Sequence, residues 1–209
     1  MFTRTFARRA ALAGVGVTAA LTLAACGGDH PTSGHGMPGS SGTGTPAAGT
    51  PASFGAADVM FAQMMIPHHQ QAVEMSELAE TRAADPEVRK LAGQIKAAQG
   101  PEIATMSGWL AAWGRPAPSA SAGHGMPGMD HGMPGMMSEA DLAKLTAASG
   151  ADFDRRFLTM MIAHHEGAIT MAKEEIAQGA HPDAKALARQ IVTSQQGEID
   201  AMRKMLDRI

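Results

Sequence analysis

From Ala56 onward, apolar residues return every three or four positions, the period of a helix with one face in a core. This first run extends to about Ala83. It restarts in "ADPEVRKL", where Asp85 suits an N-cap and Pro86 the first helical turn. The second helix is expected to reach about Trp113, with a kink at Gly100-Pro101. Ser138, with Asp141 three residues on, has the spacing of a helix start, and a short helix is expected before Gly150 interrupts the pattern. A long helix follows from about Asp152 to Gln178. "AHPDAKAL" then opens a last one, with Pro182 in its first turn, that runs to the C-terminus.

The same pattern is written twice. Residues 58–110 align with 154–206 without a gap, at an offset of 96; nine of 22 positions agree from Asp58 and ten of 25 from Pro86, far above chance. Each copy is a helical hairpin that cannot bury its apolar face alone, and two of them make an all-α four-helix bundle. Composition agrees. With 17 Met, no Tyr and 4% aromatics, the core is built from Ala, Leu, Ile and Met, which favour helices over sheets. Hairpin 1 is placed at 55–113 and hairpin 2 at 138–209, within one domain at 53–209.

Outside the hairpins the periodicity stops. Residues 26–52 are a Gly, Ser, Thr and Pro tether that cannot bury enough apolar area to fold. Residues 1–25 are a targeting segment: Arg4, Arg8 and Arg9 precede an apolar stretch ending in small residues. "LAAC", closing on Cys26, resembles the lipobox of bacterial lipoproteins. That resemblance implies cleavage before Cys26, lipid on its sulfur, and an exported domain anchored at the outer face of the cell membrane. The chain's one cysteine is then spent on the anchor, leaving neither a disulfide nor a thiolate metal site. Cleavage also removes three Arg and no acid, taking the formal charge from −3 to −6. An acidic surface without a basic cluster excludes nucleic acid as partner.

The chemistry lies in the repeated stretch, "MMIPHHQQAVEM" at 64–75 and "MMIAHHEGAITM" at 160–171. At about 100° per residue, Phe61, Met64, His68, Ala72 and Met75 share one stripe, as do Phe157, Met160, His164, Ala168 and Met171. The stripe is apolar, so His68 and His164 are expected to point inward. Met65 with His69, and Met161 with His165, fall on a neighbouring stripe expected nearer the bundle edge. A single His on an apolar face is ordinarily a satisfied core residue. Here the His come paired, twice, with Met a turn before and two turns after, on helices that duplication lets face each other.

More Met and His occur where packing cannot explain them. "HGMPG" occurs three times, and the central loop 114–137 carries His124, Met126, Met129, His131, Met133 and Met136. A linker has no use for Met, which is sticky and oxidisable when exposed. The Met-x-x-Met spacings are similar to the methionine-rich segments of copper-transport proteins. Thioether with imidazole selects copper, Cu(I) above all, with His-rich positions also able to hold Cu(II). Zinc and iron rarely use Met, and Ca²⁺ or Mg²⁺ want oxygen clusters that the chain lacks.

The segments "FAQMMIPHHQQAVEM" and "FLTMMIAHHEGAITMAKEEI", each followed by a helix carrying Gln99, Glu102, Ile103 and Met106 or Gln195, Glu198, Ile199 and Met202, resemble the domain-of-unknown-function 305 family over residues 55–209. The resemblance implies a ferritin-like four-helix bundle. It also implies extracytoplasmic copper binding, with His68, His69, Met64, Met75 and their repeat partners as ligands. Pro67 of the first copy becomes Ala163 in the second, so the two half-sites need not be equivalent.

The expectation is therefore a binding protein rather than an enzyme: a copper-binding lipoprotein that buffers, sequesters or hands on the metal. A copper-handling partner protein fits that role. Two other readings compete. A metal-free surface module would use Met and His for packing alone. A ferritin-like di-iron enzyme needs Glu-x-x-His on two helices, and no Glu-x-x-His occurs in the chain.

Overall fold

The computed structural model describes residues 53–118 and 133–209. The targeting segment, Cys26, the tether, and His124, Met126, Met129 and His131 lie outside the described residues. Five helices follow one another: α1 (Ala56–Arg82), α2 (Pro86–Ala112), α3 (Glu139–Ala147), α4 (Gly150–Gln178) and α5 (Pro182–Leu206). The chain is all-helical, and α1, α2, α4 and α5 form the expected four-helix bundle. Among the described residues no helix is long and apolar enough to cross a membrane.

Local chemistry sets the boundaries. Asp85 caps α2 by accepting from the Glu87 N–H, with Pro86 behind it, and Ser138 caps α3 by accepting from the Asp141 N–H. His181 caps α5 through its ring, accepting from the Ala184 N–H. α2 runs through Pro101 to Ala112, about as far as expected, since the proline gives up one backbone bond while the helix on either side stays packed. One expectation needs correcting. Gly150 does not merely interrupt a helix: it opens α4 with a positive φ of 64°, a backbone state glycine adopts without steric cost.

α1 packs on α2 and α4 on α5, and the hairpins meet chiefly through α1 and α4. Two buried carboxylates fix this meeting crosswise. Asp58, at the start of α1, accepts from the Ala180 and His181 N–H groups at the start of α5. Its repeat equivalent Asp154, at the start of α4, accepts from the Ala84 and Asp85 N–H groups leading into α2. Each hairpin therefore caps the turn of the other, supplying acceptors to N–H groups that helix starts leave orphaned. α1 and α4 consequently run antiparallel about a pseudo-two-fold axis, and residue n of one copy meets the other at a fixed level.

Two apolar layers result. One gathers Met75, Met161, Met202, Phe153 and Phe157. The other gathers Phe61, Met65, Met106 and Met171. Between them, where α1 crosses α4, the buried residues are histidines.

Candidate metal centre

His68 on α1 and His164 on α4 meet with ring centroids 3.7 Å apart and planes tilted by 36°. Both are fully buried, as are His69 and His165. His69 and His165 turn away from the central pair, their centroids 6.5 and 6.4 Å from those of their neighbours. Each reaches the outer helix of its own hairpin. His69 Nε2 donates to Glu102 on α2 at 2.7 Å, and His165 Nε2 donates to Glu198 on α5 at 2.6 Å. The carboxylates keep about a fifth of their side chains in solvent, 19% and 20%, so their charge is only partly desolvated.

Those bonds fix tautomers. A nitrogen that donates to a carboxylate carries the hydrogen, and the other nitrogen of the neutral ring keeps a lone pair. His68 is held likewise, its Nε2 donating to the Pro134 carbonyl at 3.1 Å. Nδ1 of His68, His69 and His165 is buried without a hydrogen-bond partner, and His164 has neither ring nitrogen paired. Burial, and then the charge that His69 would carry, push the His68 imidazolium down to about 3. Burial and the His68 ring beside it push His164 well below the ordinary histidine value. At neutral pH the central pair is therefore uncharged and offers lone pairs rather than protons. Hydrogen-bonding a ligating imidazole through its far nitrogen is the usual way to orient it and raise its basicity.

The strap that supplies Pro134 is the end of the Met/His-rich loop. Gln71 clamps its backbone at Met137, the side-chain amide donating to the carbonyl at 3.0 Å and its oxygen accepting from the N–H at 2.7 Å. In the second copy the matching position is Gly167, where a Cβ would lie 2.0 Å from the Pro134 oxygen. One copy grips the strap and the other leaves room for it. Gly135, at φ 76°, completes the close pass over α4.

The structure sorts the residues singled out from sequence. His68 and His164 are brought together, and His69 and His165 are not brought to them. Met65, Met75 and Met161 are fully buried and Met171 is 4% exposed, but Met75 and Met171 lie in different layers. Met64 and Met160 are only partly buried. The rest of the inward stripe is buried as expected, at Phe61, His68, Ala72, Met75 and their repeat partners, but the neighbouring stripe is buried as fully: α2 and α5 cover Met65, His69, Met161 and His165, which a single-helix projection puts near the edge. Met133 and Met136 sit partly buried in the strap. Residues not foreseen as part of the site are Pro134, Gln71, and Glu102 and Glu198. The two glutamates had a signal, since both stand 33 positions after a paired His.

Among the described residues no three His, Cys, Asp or Glu side chains converge into a ready-made chelate. Hard-ion and di-iron coordination find no such donor set there. What the bundle offers is neutral imidazole nitrogen between layers of thioether, a donor set suited to a soft ion.

The fold and the repeated motif define a family. The model of a domain of unknown function, DUF305, matches residues 58–206, and the chain belongs to that family. A DUF305 protein from Streptomyces coelicolor, predicted to be secreted, is 39% identical; the match covers 73% of this chain and 93% of that one, with a TM-score of 0.66. CopM in its Cu(II)-bound form is 36% identical, over 72% of this chain and 96% of that one, with a TM-score of 0.62. CopM has also been solved with Cu(I), with silver and in the apo form. An uncharacterised protein of Acanthamoeba polyphaga mimivirus is 44% identical over 54 residues, 26% of this chain and 36% of that protein, so the chain spans about a third of that relative's length.

Proposed function

We propose that this chain is an extracytoplasmic copper-binding protein whose central ligands are His68 and His164, and that it buffers, sequesters or hands on the metal. The observation that carries the reading is the buried imidazole pair: neutral, in ring contact, with unpaired nitrogens facing no protein hydrogen bond. A buried polar atom without a partner costs about 1–3 kcal/mol, and a soft cation turns that deficit into a bond. Likeness to a protein solved with Cu(I) and Cu(II) supports the choice of metal. The thioethers above and below favour Cu(I).

Export rests on residues 1–25 and lipid attachment on Cys26, so the bundle would stand off a membrane surface on the 26–52 tether. Met133 and Met136 in the strap, with His124, Met126, Met129 and His131 before it, would serve as an outer set of weaker soft donors.

The test is competition. Purified residues 27–209 should draw Cu(I) from a chromogenic chelator more strongly than they bind Zn²⁺, and Cu(I) should raise the melting temperature by mass action. A chain that neither competes at micromolar copper nor melts higher would be a metal-free helical module.

A further inference from the structure

The two ends of the bundle do the same structural work, yet one of them is built differently. At the end where α1 begins and α2 finishes, Phe54 stacks on Trp113 with ring centroids 4.8 Å apart and planes 12° from parallel. Trp109 continues the stack at 6.0 Å, and the His181 ring packs against both tryptophans, at 5.7 and 5.3 Å. The guanidinium of Arg115, an exposed residue, stands 5.9 Å over Phe54. Phe54, Trp109 and Trp113 are only partly buried. Met60, 55% exposed, is the exposed large hydrophobic residue among the described ones. It lies one turn before Gln63, whose amide donates to the Pro116 carbonyl just beyond the stack.

The repeat tells what packing alone requires there. At the offset of 96, Phe54, Trp109 and Trp113 become Gly150, Met205 and Ile209, and His181 answers to Asp85. Asp154 caps the turn at the other end as Asp58 does at this one, but the ring beside it, Phe153, is fully buried. That end is bordered by charge instead, with Glu87, Arg89, Asp207 and Arg208 exposed and Arg208 paired to Glu87. Capping and packing therefore do not call for half-exposed rings. Tryptophan with its body in apolar surroundings and its edge in water is suited to the boundary between acyl chains and headgroups. An arginine beside it can reach a lipid phosphate with its charged tip.

We propose that this end of the bundle docks on a lipid bilayer, with Phe54, Trp109, Trp113 and Met60 at headgroup level and Arg115 on a lipid phosphate. What selects a bilayer over a protein is the chain that arrives at the same end. Residues 26–52 lead from Cys26 directly to Ser53 and Phe54, and a Gly- and Ser-rich chain of that length has a root-mean-square span of about 30 Å. A membrane holding Cys26 is thus presented to this end at an effective concentration in the millimolar range, so a contact too weak to hold a free protein suffices. The inference rests on the anchoring reading of Cys26 and not on copper. Docked end-on, α1 carries His68 about 20 Å from the headgroups, at 1.5 Å of rise per residue, which keeps the imidazole pair clear of lipid.

Both tryptophans of the chain lie in this stack, so intrinsic fluorescence reads the face alone. The 26–209 chain is coupled through Cys26, its one cysteine, to a maleimide lipid in vesicles of phosphatidylcholine and phosphatidylglycerol, and quenching by brominated acyl chains is measured. Emission of the coupled parent should shift to the blue and be quenched. A Phe54→Ser/Arg115→Glu variant keeps both tryptophans and alters no fully buried residue; it should lose both effects. No quenching of the coupled parent, or equal quenching of the variant, would overturn the docking face. A blue shift that follows protein concentration without vesicles would overturn it as well, because the face then joins two copies. Should circular dichroism show the variant unfolded, acrylamide decides on the parent: coupling to vesicles should shield the tryptophans relative to the uncoupled 27–209 chain, and equal access refutes docking. The maleimide lipid supplies the anchor, so these outcomes are separate from the anchoring reading itself, which mass spectrometry of Cys26 in the exported chain tests.

Discussion

Gly167→Ala sets helix propensity against the strap. In the interior of a solvent-facing helix the change stabilises by about 1 kcal/mol. At Gly167 the added Cβ would lie 2.0 Å from the Pro134 oxygen, 2.4 Å from its carbonyl carbon and 2.7 Å from the Gly135 Cα. Carbon contacts settle at about 3.5 Å, so the strap must retreat by roughly 1 Å or more, and every atom met is backbone that cannot swing aside. A retreat of that size breaks the His68–Pro134 bond, at 3.1 Å, and strains both Gln71–Met137 bonds. Three hydrogen bonds at a net ~1 kcal/mol each are at risk, and the His68 N–H is left buried. Against the propensity gain, a net destabilisation of about 2–4 kcal/mol is expected.

Gly93 and Gly197 lie inside α2 and α5 with nothing within 4 Å of a built Cβ. Alanine there should stabilise by about 0.5–1 kcal/mol. Urea unfolding of the apo chain, followed by far-ultraviolet circular dichroism, gives all three values. Opposite signs at Gly167 and Gly197 are the prediction. If Gly167→Ala gains stability as Gly197→Ala does, the strap is not seated on α4 and the cover over the imidazole pair does not exist.

Removing Asp154, which is buried and accepts from both Ala84 and Asp85, should cost about 2–3 kcal/mol as Asp154→Ala; thermal melting of that variant and of Asp58→Ala checks the crosswise capping. His164→Leu should make the apo chain more stable by about 1 kcal/mol or more, because two unpaired nitrogens leave the core, yet abolish central Cu(I) binding in the chelator assay. Stability should also decline as pH rises. Burial first, then the Asp58 carboxylate beside it, push the Glu175 carboxyl up from 4.5 to about 8. Between those two values the folded state holds a proton that the unfolded chain releases, so stability falls across that window. Glu175→Gln should flatten the profile, which denaturation at a series of pH values reads directly. At the acid end the sign reverses. Burial alone would raise Asp58, but the N–H groups of Gly55 and His181 outweigh it and hold the carboxyl below its ordinary value, so its share of stability is lost as pH falls through that lowered value.

The helices and the duplication were legible because their signals are local: period, Asp85 and Ser138 as caps, Pro86 and Pro182 in first turns. The facing of His68 and His164 followed from an internal two-fold. The ranking of Met64 over Met65 failed for a physical reason. A helical projection assumes one buried face, whereas α1 and α4 each touch two partners, so the stripe carrying Met65 and His69 is covered by α2 as fully as the His68 stripe is by α4. The Glu102 and Glu198 pairings needed the register between helices, which no single helix encodes. The strap hid for another reason. Residues 133–137 share the composition of a linker, and what seats them is the mismatch of the two copies at Gln71 and Gly167. A break in the repeat, rather than the repeat itself, marked where the connector crosses.

That break also says which nitrogen His68 offers. With Nε2 committed to Pro134, an ion approaching the pair without moving the strap meets Nδ1 of His68. His164 has no such commitment and can use either nitrogen. The crosswise caps hold α1 and α4 in place before any ion arrives, so little backbone ordering is left to oppose binding. An apo bundle selected for stability alone would fill this layer with hydrocarbon, as it does immediately above and below. Keeping four imidazoles there, three of them steered so that Nδ1 stays bare, trades stability for a preorganised set of lone pairs.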